Sequence, residues 1–194
     1  MSGRACLRAA TTIAGVSIRL EVLTAARLPD VEALVEDPAV VRFTRVPEPT
    51  PHDFAQTWFA SYERGREDGT KEAFAIVDAS SAFLGLAVAP LIDRPTRTVE
   101  LGYVIAHEAR GRGVATAAVR LLSRWALEEL GALRVELWIS IHNSASSVVA
   151  RRCGYTLEGV LRSAHFKQEQ RDDFEIWSLL PSDESARVLR ESSA

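Results

Sequence analysis

A short run of glycine and arginine carries the clearest chemical signal in this chain. The segment Arg110–Thr116 reads RGRGVAT and lies between an apolar stretch ending at Ile105, which predicts a strand, and an amphipathic stretch beginning at Val114, which predicts a helix. A glycine turn that leads into a helix leaves several backbone N–H groups without intrahelical partners. Together with the helix dipole and the two arginines of the turn, these groups favour an anion. The segment therefore predicts a site for a phosphate-bearing cofactor.

The turn differs from other loops that bind phosphate or nucleic acid. It lacks the Gly-Lys-Ser/Thr ending of a nucleotide P-loop, and with only Gly111 and Gly113 it does not have the glycine spacing of a dinucleotide fold. Contact with RNA through the paired arginines is an alternative. The net charge of −3 argues against a broad basic surface, so no nucleic-acid partner is expected.

Composition and length limit the other classes of protein. The 194 residues suit one domain, which we expect over residues 16–182, between a flexible leader at 1–15 and a flexible tail at 183–194. The two cysteines, Cys6 and Cys153, are far apart and lie outside any histidine cluster, so no metal site is expected. No stretch resembles a signal peptide or reaches the roughly 18 apolar residues of a membrane span, which favours a cytoplasmic protein with no membrane partner.

The order of the predicted elements indicates an α/β (α+β) domain with one mixed sheet. Alternating apolar residues predict strands, and apolar residues at helical spacing predict helices. Antiparallel strands come first, and a single strand–helix–strand crossover follows around the glycine turn. The predicted strands are Val16–Leu23, Ala73–Val77, Ala82–Ala89, Val99–Ile105, Val135–Ile141, Tyr155–Leu161 and Phe174–Leu180, and the predicted helices are Asp30–Glu36, His52–Glu67, a helix from Val114 that Gly131 ends, and Ser144–Arg152.

Two blocks of the sequence resemble a known family. The pattern Arg-x-x-Gly-x-Ala, formed by Arg110, Gly113 and Ala115 after a Leu-Gly-Tyr-Val-Ile strand, is similar to the acetyl-CoA-binding motif of the GNAT acetyltransferases. The block from Asn143 to Gly159 resembles the branch that contains the ribosomal-protein N-terminal acetyltransferases RimJ and RimL. The resemblance implies the GNAT fold, which is a mostly antiparallel central sheet flanked by helices and splayed in the middle to admit CoA.

The resemblance also assigns the contacts of acetyl-CoA, the expected co-substrate. Backbone N–H groups of the turn would hold the pyrophosphate, and the end of the preceding strand would pair with the pantetheine arm. The N–H of Ile105 would polarise the thioester carbonyl. Asn143 and Ser146 would reach the sulfur end, and Asn143 also stands where a helix N-cap is expected. The implied cofactor-binding residues are Val104, Ile105, Arg110, Gly111, Arg112, Gly113, Val114, Ala115, Thr116, Asn143 and Ser146.

Three residues are candidates for catalytic proton transfer. Glu100, on the strand that enters the site, is a candidate base, and its alternative role is to order a neighbouring arginine. The GNAT general-acid tyrosine would fall at Ala150, so the resemblance implies instead that Ser146 protonates the thiolate; the alternative is a serine that bonds its own helix backbone. His165 lies where the RimJ/RimL branch can carry an acidic residue near the substrate, and it is either a base or an exposed histidine.

The resulting expectation is a GNAT acetyltransferase that transfers an acetyl group to a primary amine by direct attack on the thioester. A peptide or protein α-amine is the expected acceptor, because its pKa near 8 leaves an appreciable neutral fraction. The alternatives are a small-molecule acceptor, such as an antibiotic or a polyamine, and a non-catalytic acyl-CoA-binding sensor. An aromatic cluster on the second predicted helix, formed by Trp58, Phe59 and Tyr62, is expected to pack in the core, with an acceptor pocket as its alternative. Homodimers are common in this branch by resemblance, and no feature of the sequence indicates one.

Overall fold

A computed structural model describes residues 10–13, 16–167 and 170–191. One mixed sheet organises the molecule. Its strands are β1 (Ala10–Ile13), β2 (Val16–Val22), β3 (Glu72–Asp78), β4 (Phe83–Asp93), β5 (Thr98–Ile105), β6 (Arg134–Ser140), β7 (Thr156–Lys167) and β8 (Gln170–Leu179). The eight strands lie in the order β1-β2-β3-β4-β5-β6-β8-β7. Neighbouring strands are antiparallel except β5 and β6, which are parallel. The predicted mixed, mostly antiparallel sheet is confirmed.

Helices cover both faces of the sheet, and local sequence signals set several of their ends. Asp37 caps the second helix by accepting a hydrogen bond from the Ala39 N–H at 2.8 Å. Gly69 ends the third helix in the left-handed conformation that glycine adopts without strain. The helices are α1 (Leu28–Val35), α2 (Pro38–Phe43), α3 (Phe54–Asp68), α4 (Val114–Glu128), α5 (Ser144–Arg152) and α6 (Glu184–Glu191).

Two hydrophobic cores, one on each face of the sheet, hold these helices in place. Because successive side chains of a strand point to opposite faces, β3 contributes to both cores. Phe74 and Ile76 pack with residues of α4, whereas Ala75 and Val77 pack with residues of α1 and α3. Phe74 also meets Trp125 of α4 edge-on, with the ring centroids 5.1 Å apart. The sheet is therefore a rigid platform between two helical layers.

The sheet splays open between its two central parallel strands. Pairing of β5 with β6 runs only from Thr98 opposite Arg134 to Leu101 opposite Leu137. Beyond that point β5 continues to pair with β4 as far as Ile105, while β6 continues to pair with β8. The two strands thus separate while each stays anchored on its outer side. The splay predicted from the family resemblance is confirmed.

Both ends of the described chain contain more structure than the sequence indicated. Part of the predicted flexible leader forms β1, whose Ala10–Ile13 pairs with β2. Part of the predicted flexible tail forms α6, which packs on α4 through the fully buried Ala186. The structure thus places secondary structure at Ala10–Ile13 and Glu184–Glu191, inside the predicted leader and tail, and the domain bounds 16–182 stay a prediction; residues 1–9, 14–15 and 192–194 lie outside the described ranges. Within those ranges, the helices are all too short or too polar to cross a membrane.

Candidate active site

The glycine turn opens the N-terminus of α4 toward empty space. Gly111 and Gly113 have φ of 72° and 81°, and a Cβ built on either glycine would meet nothing within 4 Å. The first hydrogen bond of α4 runs from the Ala117 N–H to the Gly113 carbonyl at 3.1 Å. The N–H groups of the residues between them therefore point out of the helix end, where the helix dipole favours an anion. The structure thus provides the geometry that the sequence predicted for a phosphate site.

The two arginines of the turn have different environments. The Arg110 guanidinium donates to the Ile105 carbonyl at 3.0 Å and pairs with Asp37 at 2.6 Å. It therefore ties the turn to β5 and to the start of α2. Arg112 is exposed and is not among the residues that line the adjacent cavity. A role for Arg112 in cofactor binding stays a prediction without a contact in the structure to support it.

A cavity of about 780 Å³ extends from the glycine turn through the gap between β5 and β6. This volume lies in the range typical of small-molecule sites. With the exception of Arg112, the predicted cofactor-binding residues all lie on its wall. They are Val104, Ile105, Arg110, Gly111, Gly113, Val114, Ala115, Thr116, Asn143 and Ser146. We call the part of the cavity that these residues line the donor end.

At the donor end, the edge of β5 that pairs with β4 is held closely against it. Gly85 of β4 lies opposite Ile105, and a Cβ at this glycine would come within 2.1 Å of the Val104 carbonyl oxygen. Only glycine permits this close approach, so β5 sits tightly on β4 up to its last residue. The other edge of β5 faces the cavity beyond Leu101 because β6 has turned away. Val104 and Ile105 therefore border a space in which an extended chain can lie beside a strand.

Asn143 and Ser146 meet at the start of α5. The Asn143 side chain accepts a hydrogen bond from the Ser146 N–H at 3.2 Å, so the N-cap role considered for this asparagine is present. Both residues also line the cavity, so capping does not remove them from the site. The Ser146 hydroxyl oxygen accepts a hydrogen bond from the Tyr103 hydroxyl at 3.0 Å. Contact of either residue with pantetheine remains a prediction.

Tyr103 is a site residue that the sequence reasoning missed. It lies on β5 beside the gap and lines the cavity, and burial raises the pKa of its hydroxyl to about 12. The available signal was a single polar aromatic group in the otherwise apolar Leu-Gly-Tyr-Val-Ile stretch. The prediction for this stretch concerned only its backbone contacts with the cofactor, so the Tyr103 hydroxyl received no role.

Glu100 lies farther along β5, at the other end of the cavity. Its side chain is 13% exposed and accepts a hydrogen bond from the Arg45 guanidinium at 2.7 Å. Burial raises the pKa of the Glu100 carboxyl above its ordinary value, although Arg45 opposes this shift. Both roles considered for this residue are thus compatible with the structure: the carboxylate orders an arginine, and it faces the cavity as a candidate base.

His165 faces the same end of the cavity from β7. Its ring lies 5.3 Å from the ring of Phe174, and both line the cavity. Burial lowers the pKa of the imidazole, and the positive charges of Arg45 and Lys167 lower it further. The histidine is therefore neutral near pH 7, which is the form able to accept a proton.

The remaining wall of this end comes from α3 and from the segment after α2. Trp58 and Tyr62 stack with ring centroids 4.4 Å apart and line the cavity, whereas Phe59 packs in the core. The predicted core packing therefore holds for Phe59 and Tyr62, and Trp58 packs against the same core. Because Trp58 and Tyr62 also line the cavity, an acceptor pocket at this cluster stays a prediction. We call the wall formed by Trp58, Tyr62, Arg45, Glu100 and His165 the acceptor end.

Lys167 fixes the position of the acceptor end. Its ammonium donates to the carbonyl oxygens of Val41 and, at 3.2 Å, Thr44. These contacts link the β7–β8 hairpin to the C-terminus of α2, where a positive charge is favourable. Sequence reasoning gave no role to Lys167, because its partners are backbone atoms more than a hundred residues away. In the described ranges the structure brings no three His, Cys, Asp or Glu side chains together as a metal site.

Comparison with known families identifies the class of protein. Residues 17–156 match the family described as "Acetyltransferase (GNAT) domain". The chain belongs to this family, and the family predicted from the glycine turn and the Asn143–Gly159 block is confirmed.

Two curated relatives refine the assignment. The chain is 37% identical over 89 residues to the Bacillus subtilis (strain 168) protein named "Putative ribosomal N-acetyltransferase YdaF", covering 46% of this chain and 49% of that protein. It is 28% identical over 87 residues to the ribosomal-protein-serine acetyltransferase of Escherichia coli (strain K12), covering 45% and 49% of the two chains. The matched segment spans about half the length of each relative. The predicted RimJ/RimL-like branch is confirmed.

Solved structures share the fold at low sequence identity. A RimL ribosomal L7/L12 alpha-N-protein acetyltransferase in complex with coenzyme A superposes with a TM-score of 0.78 at 16% identity, covering 89% of this chain and 98% of that one. The spermidine N-acetyltransferase of Vibrio cholerae, in complex with CoA and spermine, superposes with a TM-score of 0.76 at 20% identity, covering 86% and 96%. At these identities the likeness establishes the fold and leaves the acceptor open.

Proposed function

We propose that this chain is an acetyl-CoA-dependent N-acetyltransferase that acts in the cytoplasm on the N-terminal α-amine of a peptide or protein. One observation carries the proposal. A single cavity connects the helix N-terminus at Gly113, the open edge of β5 and a pocket that holds Glu100 and His165. A phosphate site, a slot for an extended arm and a proton acceptor therefore lie in series, as transfer from a CoA thioester to an amine requires.

The donor end supports acetyl-CoA in particular. The N–H groups at the start of α4 would hold the pyrophosphate, because they point into open space with the helix dipole behind them. The pantetheine arm would extend beside Val104 and Ile105, where β6 has separated from β5. The thioester would then lie near the Ile105 N–H, a candidate donor to the negative charge that develops on the carbonyl oxygen, and near the Ser146 hydroxyl, a candidate proton donor to sulfur.

The acceptor end supports direct attack by an amine. The nitrogen must lose a proton as the N–C bond forms, and both Glu100 and the neutral His165 face the cavity as candidate bases. An α-amine suits these modest bases better than a lysine side chain, whose pKa is near 10.4 against about 8 for the α-amine. The reaction needs no covalent enzyme intermediate, because the amine and the thioester would meet in the same cavity.

A polyamine acceptor is less compatible with the charges of the cavity. The spermidine N-acetyltransferase shares only the fold at 20% identity. Among the residues described on the cavity wall, the arginines are Arg42, Arg45, Arg110 and Arg152, and the carboxylates are Glu100 and Asp172. Both carboxylates already have partners: Glu100 pairs with Arg45, and Asp172 accepts from the Ser140 hydroxyl at 2.6 Å. A polycation would meet more positive than negative charge here.

Thiol release from acetyl-CoA with a panel of amines tests the proposal. The panel should contain short peptides with different first residues, the same peptides with blocked N-termini, and polyamines. We expect turnover with free peptide N-termini and none with blocked ones. Turnover confined to polyamines would contradict the acceptor assignment. CoA binding without turnover on the whole panel would instead support the non-catalytic sensor.

A further inference from the structure

A hydrogen bond on the wall of the cavity joins two elements that are distant in sequence. The Tyr103 hydroxyl, on β5, donates to the Ser146 oxygen, on α5, over 3.0 Å. Both side chains line the donor end of the cavity. The bond therefore ties β5 to α5 beside the space in which the pantetheine arm is proposed to lie.

The direction of this bond constrains the serine. Because Tyr103 donates to Ser146, the serine oxygen is an acceptor in this contact and its own proton must point elsewhere. The Ser146 N–H is already held by Asn143, so the backbone of the first turn is fixed as well. The serine proton is then free to be directed into the cavity.

We infer that Tyr103 is a positioning residue that orients Ser146 and supports it as the proton donor to the leaving sulfur of acetyl-CoA. The inference rests on the proposed function. As the N–C bond forms and the C–S bond breaks, the bonding electron pair goes to sulfur. The Ser146 proton moves to sulfur, and the Tyr103 proton moves toward the serine oxygen. The proton lost by the amine nitrogen returns to this pair through the base and solvent, so the overall reaction yields an amide and a neutral thiol.

The surroundings of Tyr103 suit this role. Burial keeps its pKa near 12, so the phenol holds its proton at neutral pH and donates rather than accepts. A hydroxyl that is a better acid than an alcohol stabilises the charge that forms on the serine oxygen as its proton leaves. An isolated serine at the same place would have to donate without that support.

The chain contains a matched control pair. Tyr155 and Ser123 also share a tyrosine–serine hydrogen bond, at 2.6 Å, and both are buried in the core against α4. Neither residue lines the cavity. Tyr155→Phe removes the same group from the same kind of bond, and it therefore reports the purely structural effect.

The test compares Tyr103→Phe with Tyr155→Phe in the full chain. For Y103F we expect kcat to fall about tenfold, with the KM for acetyl-CoA and the Kd of CoA unchanged within about twofold. For Y155F we expect a lower Tm and unchanged kcat. When Ser146→Ala is already present, Y103F should cause no further loss of kcat, because Tyr103 acts through the serine.

Each other outcome has a defined meaning. Wild-type kcat in Y103F overturns the inference, and so does a further tenfold loss in the S146A background. A rise in the CoA Kd of Y103F that matches its fall in kcat indicates a structural role and overturns the inference. A large fall in the Tm of Y103F has the same meaning. A wild type that acetylates no amine overturns the proposed function itself and the inference with it.

Discussion

The donor end and the acceptor end of the cavity are formed by different kinds of chemical group. At the donor end the chemistry comes mainly from backbone groups: the N–H groups at the start of α4 and the open edge of β5. At the acceptor end it comes from side chains of separate elements, where Arg45 meets Glu100 and Lys167 joins β7 to α2. Backbone chemistry is set by local sequence, whereas side-chain chemistry depends on the assembled fold.

This contrast explains how a family can keep one donor and use many acceptors. Substitutions at the donor end must preserve a turn and a strand edge, and few sequences do so. Substitutions at the acceptor end change only which side chains reach the cavity. The following variants test whether the two ends are separable in function, in order of decreasing expected effect.

The largest effect is expected at the junction of the two ends, for Ser146→Ala. If Ser146 protonates the sulfur, kcat should fall by about 100-fold, which is the lower range for loss of a general acid. The Kd of CoA should stay within about twofold, because the backbone contacts remain. Steady-state thiol release and calorimetric CoA titration measure the two quantities. Ser147→Ala is the control, since the Ser147 hydroxyl bonds to Glu175 at 2.7 Å; equal losses in both variants would refute a specific role for Ser146.

A backbone change isolates the donor end. Gly113→Ala forces a side chain into a left-handed conformation and adds a methyl group at the helix N-terminus, so CoA Kd should rise about tenfold, or roughly 1.4 kcal/mol. Gly69→Ala imposes the same kind of strain at the end of α3, where φ is 69°. Gly69→Ala should lower Tm about as much as Gly113→Ala does, and it should leave CoA Kd unchanged. CoA affinity that falls equally in both variants would mean that strain, and not the anion site, is responsible.

The acceptor end is tested by Glu100→Gln with a peptide acceptor. We expect kcat/KM for the peptide to fall about tenfold and CoA Kd to stay constant. Burial raises the pKa of Glu100, so its basic form is lost at a higher pH than for an ordinary glutamate. The wild-type rate should therefore fall on the acid side at a pH above the ordinary glutamate pKa of about 4.3, after correction for ionisation of the amine, and this limb should vanish in the variant. Glu136→Gln, at the paired position of β6, removes a negative charge that raises the Glu100 pKa, so it should keep this limb and shift it to lower pH.

The smallest effect is expected for Lys167→Met, which removes the link between the hairpin and α2. The acceptor end should loosen, so the KM for the peptide should rise a few-fold while CoA Kd stays constant. Lys71→Met removes the other lysine, whose ammonium donates to Ser61 at 3.0 Å on α3. It should leave both constants unchanged. A loss of CoA affinity in K167M would show that the two ends are not separable.

The sequence predicts the central elements because their signals are local. Alternation of apolar and polar residues identifies β2 and β6, a continuous apolar run identifies β3, and α4 shows both an apolar face and a glycine at each end. The splay of the sheet followed only from the family resemblance, because no local pattern encodes where two parallel strands stop pairing. Glu100 was proposed from its place on β5, but its pairing with Arg45 joins residues 55 positions apart and has no signal in the sequence.

The missed elements have physical explanations. α2 has six residues and was not predicted, although Asp37 followed by Pro38 is a local signal for the start of a helix. β1 is short and depends on pairing with β2 for its stability. α6 is a polar helix that needs the surface of α4 to form. For β1 and α6 tertiary contact, and not propensity, decides the structure, whereas the start of α2 has the local signal of the capping Asp37.

The splay of the sheet also bears on how the protein avoids unwanted association. An unpaired strand edge is a template for other chains, which pair with it and aggregate. Here the free edge of β5 lies inside the sheet, with the start of α5 on one wall of the cavity and α3 on another. The outer rims of the sheet, where another chain could pair, are formed by β1 and β7. The free edge of β5 therefore opens into the cavity, away from the two rims of the sheet.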